Sequence, residues 1–184
     1  MIGTDYGLEM KFQRIEPGLV VADGTRVEGY ASLFGLADQG GDVVQPGAYR
    51  ASLAALAARG GRVKMLWQHD PARPIGLWEE VREDGRGLYV KGRLLTEVVQ
   101  GREAAALVAA GAIEGLSIGY RTKAATRDSK GQRLLSELEL WEVSLVTFPM
   151  LPEARVAAKG EGPEALLREL AATIEDARRE LAGR

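Results

Sequence analysis

The spacing of apolar residues divides the chain into short strand-like runs, punctuated by glycine- and aspartate-rich turns, with two helical stretches between them and a third near the end. Residues 11–15, 19–22 and 26–34 read as short strands, and Asp23-Gly24 between the last two is a hairpin-turn signal. Residues 36–46 are loop-like, carrying Gly40, Gly41, Asp38 and Asp42. Over 48–59 the pattern changes to helix, with Leu53, Leu56 and Ala57 on one side and Gly60-Gly61 as a stop. The apolar strand 63–67 then delivers Gln68-His69-Asp70-Pro71 to its end. Pro71 biases Asp70 toward an extended backbone, so His69 is expected at a strand-to-loop junction.

Residues 75–82 and 87–95 form a second expected hairpin, turned at Asp84-Gly85. Thr96 is the expected N-cap of a helix running to about residue 110, with Gly111 as its C′ residue. A strand over 112–122 follows, then a turn at 128–132 and a long strand over 133–148. By the period-two rule Leu138, Leu140, Glu142, Ser144 and Val146 share one face of that strand, and Trp141, Val143 and Leu145 the other. A strand apolar on both faces is buried on both. Glu142 is then a carboxylate on an apolar face, where it needs a partner. Residues 159–163 read as a short linker and 164–181 as a helix with Leu166, Leu170, Ile174, Ala177 and Leu181 near one face. The expected organisation is a main domain over 1–158 followed by a linker and amphipathic helix over 159–184. The order of elements points to a mainly β domain, an antiparallel barrel or sandwich with helices packed on it.

Composition narrows the chemistry. The 184 residues are 46% apolar and 27% charged, an ordinary balance for a folded globular chain. Lys plus Arg number 24 and Asp plus Glu 26, so there is no basic excess to draw nucleic acid or an anionic membrane. No apolar run approaches the roughly 18 residues of a spanning helix, and no signal-peptide pattern opens the chain. Neither nucleic acid nor membrane is expected as a partner. With no cysteine, disulfides and thiolate chemistry are excluded, and a single histidine does not supply the ligands of an ordinary zinc site. No loop has the ligand spacing of a carboxylate-bound cation, so no metal or cofactor is expected. Any reaction that needs an imidazole must use His69.

The hydroxyl that such an imidazole could activate stands in Gly115-Leu116-Ser117-Ile118-Gly119-Tyr120. This has the G-x-S-x-G spelling of a nucleophile elbow, but the elbow sits on a strand-turn-helix and is followed by its histidine. Here the motif lies in a strand after a helix, and no histidine follows Ser117. A serine hydroxyl nevertheless needs a base, and the base needs a partner to fix its tautomer. Glu142 is the first candidate for that partner, Glu139 on the opposite face is an alternative, and Asp70 is expected to cap its own loop. An oxyanion site would need backbone N–H groups or a cation, with the stretch around Tyr120 and Arg121 a candidate source.

Several further segments appear in a fixed order: Gly29-Tyr30-Ala31-Ser32-Leu33-Phe34, Gly41-Asp42-Val43-Val44 with Pro46-Gly47-Ala48-Tyr49, Leu66-Trp67-Gln68-His69-Asp70, Pro74-Ile75-Gly76 and Gly87-Leu88. The serine motif and Glu139-Leu140-Trp141-Glu142-Val143-Ser144-Leu145-Val146 follow, and Pro149 with Ala154 closes the series. Over roughly residues 29–156 this resembles the prohead serine protease family of tailed bacteriophages, prophages and gene transfer agents, which is distantly similar to the herpesvirus assemblins. The resemblance implies a closed β-barrel of about seven strands flanked by helices. It also implies a serine endopeptidase that acts inside the immature capsid, in the bacterial cytosol, on the major capsid protein precursor and its scaffold segment. It aligns Ser117 with the nucleophile and His69 with the catalytic histidine. The herpesvirus relatives use a second histidine as third member. This chain has none, so a carboxylate such as Glu142, or a dyad, takes its place. The same relatives are active as dimers, so a homodimer is an expectation, and residues 159–163 are an expected site of self-cleavage.

Overall fold

The computed structural model describes residues 8–14, 24–38, 40–113 and 115–147. Along them run β1 (Leu8–Arg14), β2 (Arg26–Leu33), β3 (Asp42–Val44), α1 (Arg50–Ala58), β4 (Lys64–Trp67), β5 (Asp70–Glu83), β6 (Gly87–Leu94), α2 (Val99–Ala109), β7 (Gly115–Arg127) and β8 (Arg133–Val146). The expected hairpin at Asp23-Gly24, the linker over 159–163, its cleavage and the terminal helix lie outside the described residues.

The eight strands form one sheet in the order β1-β7-β8-β4-β5-β6-β2, with β3 beside β8 off that path. Among the described residues the fold is mainly β, a curled half-barrel sheet with two helices. Two expectations are corrected here. Among the described residues the hydrogen-bonded path is open between β1 and β2, so the barrel is not closed. Nor is it wholly antiparallel, because β3 and β4 both pair with β8 in parallel. The reason is topological: β7 occupies one edge of β8 along its length, and β3 and β4 share the other edge in succession, with α1 spanning the interval between them. A parallel neighbour requires such a crossover, which turn signals alone do not reveal.

Each helix is placed by a short set of contacts. No side chain of its own caps α1, but the Glu83 carboxylate on β5 accepts the backbone N–H groups of Gly47 (2.7 Å) and Tyr49 (3.0 Å) just ahead of it. Helix α2 starts after Val98, which is extended, rather than being capped by Thr96. Instead the Thr96 carbonyl accepts from the Arg102 guanidinium at 3.1 Å. The buried residues of α2 are Gly101, Ala104, Ala105 and Val108, one stripe at i, i+3, i+4 and i+7. A Cβ at Gly101 would lie 2.0 Å from the Leu95 carbonyl oxygen, so only glycine lets the helix seat this close to the sheet. Gly111, at φ +71°, ends α2 as the sequence predicts.

The feature that matters most for the site is a bulge in β8. Pairing with β7 steps from Gly119–Glu142 to Tyr120–Leu140, leaving Trp141 as an extra residue. Before the bulge Leu138 and Leu140 lie opposite Thr122 and Tyr120; after it Val143 and Leu145 lie opposite Ile118 and Leu116. All eight are buried on the core face. Glu142 and Ser144 therefore lie on the other face, opposite Gly119 and Ser117. The expected shared face of Leu138, Leu140, Glu142, Ser144 and Val146 is corrected accordingly: the extra residue exchanges the two faces at Trp141, itself 49% exposed.

Candidate active site

His69 is carried by the two-residue connection between β4 and β5, whose flanking residues Trp67 and Asp70 pair with each other. Gln68 (φ +52°) and His69 (φ +63°) are both left-handed, the combination a type I′ turn requires. Such positions favour Asn-Gly, and for other residues the conformation costs about 1–2 kcal/mol each. Three contacts to the end of β8 hold it. The Gln68 N–H donates to the Leu145 carbonyl at 3.0 Å. The Gln68 side-chain amide donates to Thr147 Oγ1 at 2.6 Å, and the His69 N–H donates to Ser144 Oγ at 3.0 Å. The sequence places His69 at the junction of a strand with a loop, the next strand starting at residue 75; the structure corrects this, because β5 already starts at Asp70 and the connection is a two-residue turn.

From there the imidazole bridges two strands. His69 Nε2 is 2.6 Å from Ser117 Oγ on β7, and Nδ1 is 2.5 Å from Glu142 Oε1 on β8. A carboxylate facing a ring nitrogen accepts, so the geometry fits a proton on Nδ1 and a lone pair on Nε2 directed at the serine hydroxyl. The second oxygen of Glu142 accepts from Ser144 Oγ at 2.5 Å. Ser117 and Ser144 have no exposed surface, Glu142 is 6% exposed and the His69 side chain 12%. Burial strengthens these charge-assisted contacts relative to water.

The three residues singled out in the sequence thus converge, and the alternatives disperse. Glu139 pairs with Lys123 at 3.1 Å. Asp70 accepts the Ala72 N–H at 2.9 Å, capping its own turn as expected, and lies 3.5 Å from Arg73. Tyr120 and Arg121 belong to β7: Tyr120 is buried in the core and burial pushes its phenol well up, while the Arg121 guanidinium lies 5.7 Å from the Trp141 ring centre. Two residues that the sequence reading noted were not assigned by it to the site. Ser144 shares Glu142's side of the strand by simple alternation, a signal that was available. Gly119 makes room: a Cβ there would lie 2.2 Å from Glu142 Oε1 and 2.9 Å from Cγ and Cδ. The second glycine of the motif is therefore the space the carboxylate occupies.

Known proteins are similar to this chain in sequence and in fold. The chain is 34% identical over 134 residues to the prohead protease of Enterobacteria phage HK97, an alignment covering 71% of this chain and 58% of that protein; the chain spans a little over half the length of that relative. Its fold is similar to that of the bacteriophage T4 capsid assembly protease, with a TM-score of 0.63 at 14% identity, covering 78% of this chain and 99% of the other. Residues 11–168 match the family described as caudovirus prohead serine protease, and the chain belongs to that family.

Proposed function

We propose that this chain is a capsid-maturation serine endopeptidase, with Ser117 as nucleophile, His69 as general base and acid, and Glu142 as the group that orients His69. The observation that carries the reading is the continuous Ser117–His69–Glu142 contact line, in a chain with one histidine. In the first step the Ser117 proton passes to Nε2 as Oγ bonds to the scissile carbonyl carbon. The imidazolium, stabilised by Glu142, then gives that proton to the departing amine as the peptide C–N bond breaks, leaving an acyl-serine. Water repeats the sequence through the same imidazole, releasing the acid and restoring Ser117.

The substrate under this reading is the major capsid protein precursor, cut at its scaffold segment inside the immature capsid. Family membership and the name of the HK97 relative support it. The test is co-expression with the precursor, followed by mass spectrometry of the products. Wild type is expected to release the scaffold segment, while Ser117→Ala and His69→Ala leave the precursor whole. Cleavage by either variant would overturn the assignment. Absence of cleavage by wild type, together with no fluorophosphonate labelling of Ser117 and normal assembly with Ser117→Ala, would identify a non-catalytic assembly factor on the same fold. The homodimer expected from the resemblance belongs to the same reading and is checked by sedimentation of the purified chain.

A further inference from the structure

Ser144 closes a circuit that begins and ends on the same residue. The His69 backbone N–H has only a proton to offer, and it donates to Ser144 Oγ at 3.0 Å. Because that oxygen is accepting from an amide, its own proton is free to point elsewhere, and it donates to Glu142 Oε2 at 2.5 Å. The other oxygen of the same carboxylate faces the His69 ring at 2.5 Å. The path therefore runs from the backbone of His69, through Ser144 and Glu142, back to its imidazole. A buried carboxylate gripped only by the ring could rotate with it; one tied also to the backbone amide of the same histidine cannot.

Register explains why position 144 is suited to this. It lies directly opposite Ser117 across β7 and β8, two residues beyond Glu142 on the same face, and beside Leu66 of β4. It is the point at which the nucleophile strand, the carboxylate strand and the turn carrying the base come together, and it has no exposed surface. Its contact with the His69 N–H also holds the left-handed turn in place.

We propose that Ser144 is a positioning residue of the active site: it fixes the Glu142 carboxylate to the backbone of His69, and so sets the ring orientation and the tautomer that leaves Nε2 open to Ser117. This rests on the peptidase reading above, but one of its consequences does not. Because His69 is the chain's only histidine, a ¹⁵N-histidine-labelled sample gives one imidazole to follow, with no assignment problem.

The experiment compares wild type, Ser144→Ala and Ser144→Thr in the full chain, each checked for folding by circular dichroism. Precursor cleavage and the imidazole ¹⁵N signals are then measured across pH. Ser144→Ala is expected to lower kcat roughly 10- to 100-fold, the effect of losing one hydrogen bond to a charged group, with KM little changed. Its imidazole should show mixed tautomers where wild type shows one, and Ser144→Thr, which keeps the hydroxyl, should restore the single tautomer and most of kcat. A folded Ser144→Ala with wild-type kcat, or with reduced kcat and an unchanged single tautomer, overturns the proposal. If Ser144→Ala does not fold, Ser144→Cys, close in size but a weak hydrogen-bond donor, is judged by the same criteria. If Ser117→Ala still cleaves, the peptidase reading fails while the tautomer measurement continues to judge Ser144.

Discussion

Gly119 lies opposite Glu142 across β7 and β8, and the space where its Cβ would stand is the space the Glu142 carboxylate fills. An exposed carboxylate would swing aside from an added methyl. This one is held from two directions, by His69 Nδ1 and by Ser144 Oγ, so the room at position 119 becomes a requirement of the site.

Gly119→Ala is therefore expected to displace Glu142 from His69 and lower kcat roughly 10-fold or more, through loss of a charge-assisted hydrogen bond. The accompanying loss of stability should be about 1–3 kcal/mol, the usual range for overpacking a buried position. Adding Glu142→Asp shortens the carboxylate by one methylene and should recover part of the activity. Kinetics of the two single variants and the double variant check this. Additive losses in the double variant would show that the two positions do not compete for space.

The turn at Gln68-His69 yields a second expectation. Asparagine tolerates the left-handed region, whereas a β-branched side chain strongly resists it. Gln68→Asn should change stability by less than about 1 kcal/mol, while Gln68→Val should cost about 2 kcal/mol or more from backbone strain and the lost amide contact to Thr147. Urea unfolding of both variants measures the difference. In Gln68→Val the cleavage rate should fall as well, because the same turn aims His69.

Acid stability provides a third. Asp84 sits in the β5–β6 turn, where the Arg86 N–H chiefly, with the Tyr30 hydroxyl, Arg82 and the Gly87 N–H, holds its carboxyl at about 2 against an ordinary 3.8. A folded-state value below the unfolded one means stability that is fully present above about pH 4 and is lost as the pH falls toward 2. Asp84→Asn lacks that contribution. Its melting temperature should lie below wild type at pH 7, and the gap should close between pH 4 and 2. A gap of constant size across that window would show that the charge of Asp84 does not stabilise the fold.

Much of this was readable from the chain because local chemistry decided it. The Asp84-Gly85 turn, the helix stop at Gly111 and the end of β4 before His69 each follow from residues within a few positions of one another. The convergence of Ser117, His69 and Glu142 was also legible, since a lone histidine leaves one base and a carboxylate in an apolar run needs a partner. What sequence spacing did not reveal was non-local. Parallel pairing of β4 with β8 depends on which edge of β8 remains available after β7 has taken the other. The cap that Glu83 supplies near α1 comes from a strand 34 residues away from Tyr49. The faces of β8 were misassigned because strict alternation assumes no bulge, and Trp141 reads as an ordinary strand residue.

That bulge carries the last prediction. Removing Trp141 would restore unbroken alternation from Leu138 to Val146, so that one end of this stretch must turn over relative to the other. Either Leu138 and Leu140 leave the core, or Val143 and Leu145 turn out while Glu142 and Ser144 turn in. Both outcomes expose buried apolar side chains, each worth roughly 1.5–3 kcal/mol, and the second also buries a carboxylate without its histidine. Deletion of Trp141 should therefore destabilise the domain by several kcal/mol, on the order of two such side chains, and it abolishes fluorophosphonate labelling of Ser117 where the Glu142–Ser144 end is the one that turns over. Trp141→Ser is the control, because it keeps the residue count and alters a half-exposed side chain whose ring contact with Arg121 is worth only about 0.5–1 kcal/mol. It should fold with near wild-type stability and label normally. If the deletion is as stable as the substitution, the extra residue is not what sets the two faces of β8.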